Sequence, residues 1–344
     1  MSGSTYLEWL LANTGTEWWH DSADPPELRL GLERGAVGVT TNPLLSSVTM
    51  ARRRPEWAAA LQDVNARGLT GESRAEALIG AVATHAAAMY APHHQGTGGR
   101  TGYVCAQVNP SRAGDRGAML AMARRYHALA PNIAVKLPAT AAGLDVLEDC
   151  IAEGITATAT VSFTVPQAIA IAERCRAGRR RALDRGIEPG RCFAVIMIGR
   201  VDDYLREVAQ DARAAVGEDD IRQAGLAVTK RAYRIYQERG YEAVLLVAAL
   251  RGPYHLTELA GAQLVMSMAP APQEWFVTQD WPREERIGRE IDADVVARLS
   301  TMPEFVKAYA PDGMAPEEFL AYGLTQRTLS QFVEAGWKPL EEIR

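Results

Sequence analysis

Four side chains in this sequence combine reactive or charged groups with positions at the ends of apolar runs: Asp21, Lys136, Arg200 and Arg251. Lys136 is the most informative. It lies in NIAVKLPATAAG (132–143), where Ile133, Val135 and Leu137 alternate with Ala134 and Lys136. That alternation is strand periodicity, and lysine is among the residues least often enclosed without a partner. An amine enclosed in a low-dielectric interior is driven towards its neutral form. A neutral amine can attack a carbonyl and form a Schiff base. A strand-end lysine that reaches water or pairs with a carboxylate is the other reading, and the strand alone leaves both open. Asp21 closes the run TEWWHDS, and its carboxylate could exchange protons with a bound substrate. Asp24 has a sufficient structural task instead. With Pro25 and Glu27 it forms the signature of a helix start with a capping box.

Eight apolar strand-like runs must position these groups: 16–22, 36–41, 102–108, 132–137, 156–163, 192–198, 243–250 and 264–268. Stretches with helical spacing, such as 115–129 and 143–154, separate them. Strands that alternate with helices predict a parallel sheet, and nearly continuous hydrophobicity predicts that both faces are covered. No GxGxxG follows the first strand and no GxxxxGK[ST] occurs, which disfavours nucleotide-binding sheets. The count of eight predicts a (β/α)8 TIM-type barrel over residues 1–272. Residues 273–344 form a helical C-terminal extension, whose Leu329, Phe332 and Val333 suggest packing on the barrel or on a partner subunit. The segment 174–191, rich in arginine, lengthens the passage into strand six and reads as a solvated helix end.

The bulk numbers exclude several classes. A chain of 344 residues, 47% hydrophobic and 23% charged, suits a globular protein with a large core. A net charge of −5 gives no footprint for nucleic acid or an acidic membrane. No apolar run reaches spanning length and the N-terminal stretch lacks signal-peptide design, so a cytoplasmic location is expected. Cys105, Cys150, Cys175 and Cys192 are scattered without CxxC spacing and read as buried thiols, not a metal or disulfide framework. His93 and His94 fall in APHHQGTGG, read as a polar loop with a solvated pair, and no metal site is expected.

Two motifs carry more than composition. GVTTNPLL (38–45) follows strand two, and VKLPATAAGLDVLEDCIAEGI (135–155) includes strand four. Together, in this order, they resemble the transaldolase family of class I aldolases, including its fructose-6-phosphate aldolase branch, over about residues 16–270. The resemblance implies a barrel whose strand-four lysine, Lys136, forms a Schiff base with a ketose donor. It assigns proton handling to Asp21, donor binding to Thr41 and Asn42, and help with a catalytic water to Thr160. Phosphate binding falls to Arg200 and Arg251. It implies no cofactor, since a protonated imine serves as the electron sink, and sugar phosphates as partners. Each position also has a plain alternative: Asn42 as turn chemistry, Thr160 as an ordinary strand residue, Arg200 as a strand-end partner of Asp202 or Asp203.

This sequence departs from the family pattern at strands three, six and seven. Gln107 stands where transaldolases carry glutamate and where the aldolase branch carries glutamine. Glutamine orients water but is no general base. Val195 and Ala249 replace two phosphate-pocket serines, and Met197 replaces an aromatic residue. The leading expectation is transfer of a dihydroxyacetone unit between sugar phosphates. The alternatives are an aldolase that releases or uses a three-carbon ketone, in central or specialised metabolism, and a non-catalytic sugar-phosphate-binding barrel.

Overall fold

The computed structural model describes residues 4–343. Eight parallel strands close a barrel in sequence order: β1 (Glu17–Asp21), β2 (Val39–Thr40), β3 (Val104–Gln107), β4 (Ile133–Pro138), β5 (Ala157–Thr160), β6 (Cys192–Met197), β7 (Val244–Ala248) and β8 (Val265–Met268). Helices lie between the strands and β8 closes on β1, so the fold is the (β/α)8 barrel expected from the strand count. Every residue of β3, β4, β5, β6 and β8 is buried, because helices cover the outside and side chains fill the inside. Trp19 and Phe193 meet edge to face at 4.7 Å across the barrel. Gly38 admits the indole: a Cβ there would lie 2.6 Å from the Trp19 ring.

Strand two is shorter than its apolar run predicts. The chain leaves the sheet at Thr41 because Asn42 and Pro43 start the next helix (Pro43–Arg52), with Asn42 Oδ1 accepting from Leu45 N at 2.9 Å. Strand five also stops early. Val161 takes φ +54°, a left-handed conformation disfavoured for a β-branched residue. The fully buried Gln167 braces that bend. Its Nε2 donates to Val161 O (3.1 Å) and Ala139 O (3.3 Å), and its Oε1 accepts from Phe163 N (3.0 Å).

Three local expectations are corrected. Asp24 precedes the helix Pro25–Glu33 but makes no capping bond; its Oδ2 accepts from Arg53 at 2.8 Å. His93 and His94 lie in the last turns of a helix (Gly71–Gly96), where His94 Nδ1 meets Thr101 O at 2.8 Å. The 174–191 segment is largely the second half of one helix, Val165–Asp184. Its Arg174 and Arg181 are not free but pair with Glu148 on the neighbouring helix Ala141–Ala152, both at 2.9 Å.

The extension runs through helices Pro270–Thr278, Ala293–Leu299, Pro303–Tyr309 and Gly323–Phe332, then a π turn (Val333–Trp337) and a last helix (Lys338–Glu342). It folds back over the C-terminal end of the barrel. Phe332, Trp337 and Leu340 are buried, and a Cβ at Gly336 would sit 2.5 Å from Leu44 N. Leu329 and Phe332 are thus consumed by intramolecular packing. Among the described residues, no helix is long and apolar enough to cross a membrane.

Candidate active site

A cavity of about 250 Å³ opens at the C-terminal ends of the strands. Barrel enzymes place their chemistry at this end because eight loops converge there. Lys136 forms its floor and is 7% exposed. The alternation of β4 turns Lys136 inward, beside Gln107 of β3 and Thr158 of β5 in register. Among the described residues its Nζ donates to a single acceptor, Thr41 O, at 3.1 Å. The amine therefore faces the cavity held by a neutral carbonyl rather than by a carboxylate.

Asp21 shares the cavity. Its carboxyl is pushed above the ordinary range by burial, against the opposing pull of the Lys136 charge and of the Thr40 hydroxyl. Thr40 Oγ1 donates to Asp21 Oδ1 at 2.7 Å and contacts Ser267 Oγ at 2.6 Å. With Thr40 donating to Asp21, the proton between the two hydroxyls comes from Ser267. The row Ser267–Thr40–Asp21 thus aims hydroxyl protons at one carboxylate. Sequence reading missed both hydroxyls. Ser267 is the one polar residue in VMSM and shares a face with Val265. That parity was its only signal.

Thr160 lines the cavity and is fully buried, with no partner for Oγ1 among the described residues. Gln107 Oε1, next to the lysine in register, is also buried and unpartnered. Buried polar atoms are normally satisfied, so two such atoms near one amine mark a place that receives a polar guest. Gln107 is not itself a cavity-lining residue. Nor is Thr41, whose Oγ1 donates to Cys105 O (2.7 Å) while its carbonyl holds Lys136. Asn42 lines the cavity with its Oδ1 committed to the helix cap, which leaves the amide nitrogen as its free donor.

Both arginines reach the cavity rim, but in different states. Arg251 Nη2 pairs with Asp203 at 2.8 Å, and its Nη1 donates to Ala249 O at 3.0 Å. Arg200 follows β6 and has no ion-pair partner among the described residues. It donates to Gln331 Oε1 (2.7 Å) and Thr328 Oγ1 (3.4 Å), and its Nε is buried without a partner. Burial, then the nearby Arg251 charge, lower its pKa; Asp203 opposes them. The strand-end pairing of Arg200 with Asp202 or Asp203 thus does not occur. Asp202 instead meets His255 Nε2 at 3.0 Å, both fully buried. Met197 and Val195 give the β6 side an apolar wall, and Phe332 of the extension, packed against Arg200, adds to the lining. Phe332 was expected to pack but not to line the site, and nothing local announces Gln331 or Thr328; tertiary packing brings all three in.

The sequence pattern of the Transaldolase/Fructose-6-phosphate aldolase family matches residues 18–333. The chain belongs to that family. The match runs past residue 270, the limit set by the motifs, and takes in the helix that carries Phe332. Among curated relatives, Transaldolase 1 of Streptomyces avermitilis is 30% identical over 243 residues, 66% of this chain and 63% of that protein. The transaldolase of Neisseria gonorrhoeae is 30% identical over 218 residues, 62% and 59% of the two chains. That of Thiobacillus denitrificans is 29% identical over 257 residues, 70% of each. The chain thus spans somewhat less than two thirds of the first two relatives.

Proposed function

We propose that this chain is a transaldolase-type enzyme that transfers a dihydroxyacetone unit between sugar phosphates through a Schiff base at Lys136. The observation that carries the reading is the enclosed Lys136 amine, bound only to a carbonyl, with a carboxyl of raised pKa in the same cavity. In this reading Lys136 Nζ attacks the C2 carbonyl of a ketose. The carbinolamine loses water to give an imine, a step that Thr160 and Gln107 assist by holding that water. Asp21 takes the C4 hydroxyl proton as the C3–C4 bond breaks and the aldose leaves. The bonding electrons pass into the protonated imine and form an enamine. The enamine adds to an acceptor aldehyde, which recovers its proton from Asp21, and water then releases the new ketose. Asn42 donates to donor hydroxyls, and the Arg200 side of the rim receives the anionic end.

A second reading, an aldolase that releases free dihydroxyacetone, is favoured by Gln107. An amide in place of a carboxylate on β3 removes one general base from around the catalytic water. Borohydride trapping with fructose 6-phosphate tests the Schiff base: a covalent adduct on Lys136 is expected, absent in Lys136→Met. A wild-type chain that yields no adduct with any ketose near neutral pH would overturn the reading. Turnover as fast without an acceptor aldehyde as with one would select the aldolase.

A further inference from the structure

Two stretches that the proposed reaction leaves unused meet on the face of the barrel opposite the candidate active site. One is APHHQGTGG with the Arg100 that follows it; the other is the arginine-rich 174–191 segment. Together they form most of a second cavity, of about 640 Å³, at the N-terminal ends of β3 to β7. Small-molecule sites have volumes of this order. The backbone there is built for close approach. Gly190 crosses the entry to β5, where a Cβ would lie 2.1 Å from Ile155 O, and Arg191 N thereby reaches Thr156 Oγ1 at 3.2 Å. Gly102 turns the other stretch at φ +82°, where a Cβ would lie 2.6 Å from His94 N. Arg191 Nη1 then donates to Arg100 O at 2.7 Å and ties the two stretches together.

The charges in this cavity are unevenly matched. Glu242 is shared by Arg176 and Arg179, each at 3.9 Å. Arg100 and Arg191 have no carboxylate within ion-pair distance among the described residues; they donate to the carbonyls of Thr97 (3.3 Å) and Arg100 (2.7 Å). Thr156, 8% exposed, also lines the cavity. Its oxygen accepts from Arg191 N, which leaves its hydroxyl proton for a guest. A guanidinium fork matches the spacing of phosphate oxygens, and a hydroxyl adds a third kind of donor. We propose that this cavity is a second anion site, apart from the catalytic one, which takes the phosphate of a phosphorylated small molecule through Arg100, Arg191 and Thr156. Glu188 at its edge repels further negative charge, which favours a phosphate monoester over a polyphosphate. The site stands independently of the Schiff-base reading.

Calorimetric titration with inorganic phosphate tests it on the full chain carrying Arg200→Gln, which silences the rim of the catalytic cavity. Saturable binding is expected to survive in that chain, and to weaken by about tenfold or more when Arg100→Gln and Arg191→Gln are added. Thermal melting without phosphate separates loss of the site from loss of the fold. Should the combined variant unfold, Arg100→Gln alone carries the test, because its side chain is exposed. A chain with Arg200→Gln that binds no phosphate overturns the site, and so does an affinity that the added substitutions leave unchanged. Borohydride trapping at Lys136 is read in parallel: an adduct without this phosphate binding sinks the second site alone, and phosphate binding without an adduct sinks the Schiff-base reading alone.

Discussion

Asp21 brings stability and chemistry into conflict at one carboxyl. Its pKa is raised chiefly by burial, so the folded protein holds the proton more tightly than the unfolded chain does. Between the ordinary carboxylate pKa of about 4 and the raised folded value, ionisation therefore costs folding stability, and the full cost applies above the folded value. Asp21→Asn removes that cost. Thermal melting is expected to show Asp21→Asn more stable than wild type at neutral pH, with the gain vanishing below about pH 4, where both chains are uncharged there. A constant difference at all pH values would show that the charge is not its source. In the proposed reaction, with Asp21 as base, the sign reverses. A base must be ionised, so the acid limb of kcat/KM should lie above the ordinary carboxylate range and disappear with the substitution. Lys136 and Asp21 were legible in the sequence because each breaks a local rule, a charge at the end of an apolar strand. Thr40 and Ser267 were not, since small hydroxyls are unremarkable in strands and only the closed barrel makes them neighbours.

At the scale of elements, the strands were read correctly in number and order, while their ends were misread wherever a side chain took the backbone out of the sheet. Asn42 does so after β2 and Gln167 after β5. Such side chain-to-backbone bonds compete with the ladder, and periodicity does not register them. The loop after β7 shows how tightly these exits are built. Ala249 takes φ +63°, and its carbonyl comes so close to Gly199 that a Cβ there would lie 2.2 Å away. Gly199→Ala forces this loop outward and moves Arg251 with it. The expected cost is about 1–3 kcal/mol of stability, measured by urea denaturation. A variant as stable as wild type would show that the loop yields freely. The arginines of 174–191 illustrate the opposite error. Composition suggested a solvated face, but the Glu148 carboxylate, 26 residues from Arg174 and 33 from Arg181, pairs with both.

For the molecule as a whole, the alternation of apolar runs with helical stretches gave the barrel. The role of the extension was harder to read, because its partners lie at the opposite end of the sequence. Its contacts with the barrel make it part of one packed body: Trp337 is 1% exposed, Arg74 Nε donates to Ile343 O at 2.7 Å, and Arg298 pairs with Asp220 at 2.7 Å. Trp337→Ala should therefore lower the stability of the whole chain by about 3–5 kcal/mol. Unfolding followed through the fluorescence of the buried Trp18 and Trp19 of β1 and by far-ultraviolet dichroism should remain one transition. Two separated transitions would make the extension an independent unit.

The wall that Phe332 and Gly336 build against Pro43 and Leu44 also has a consequence in time. A ribosome delivers residues 43–44 early and residues 323–343 only after all eight strands have emerged. A nascent barrel thus holds Lys136 behind an open doorway, and the doorway shuts only when the late helix docks across nearly the whole length of the chain. Contacts of such long range form slowly. Maturation of the site should lag behind formation of the barrel, and a protease that cuts before residue 323 would return the chain to its unfinished state.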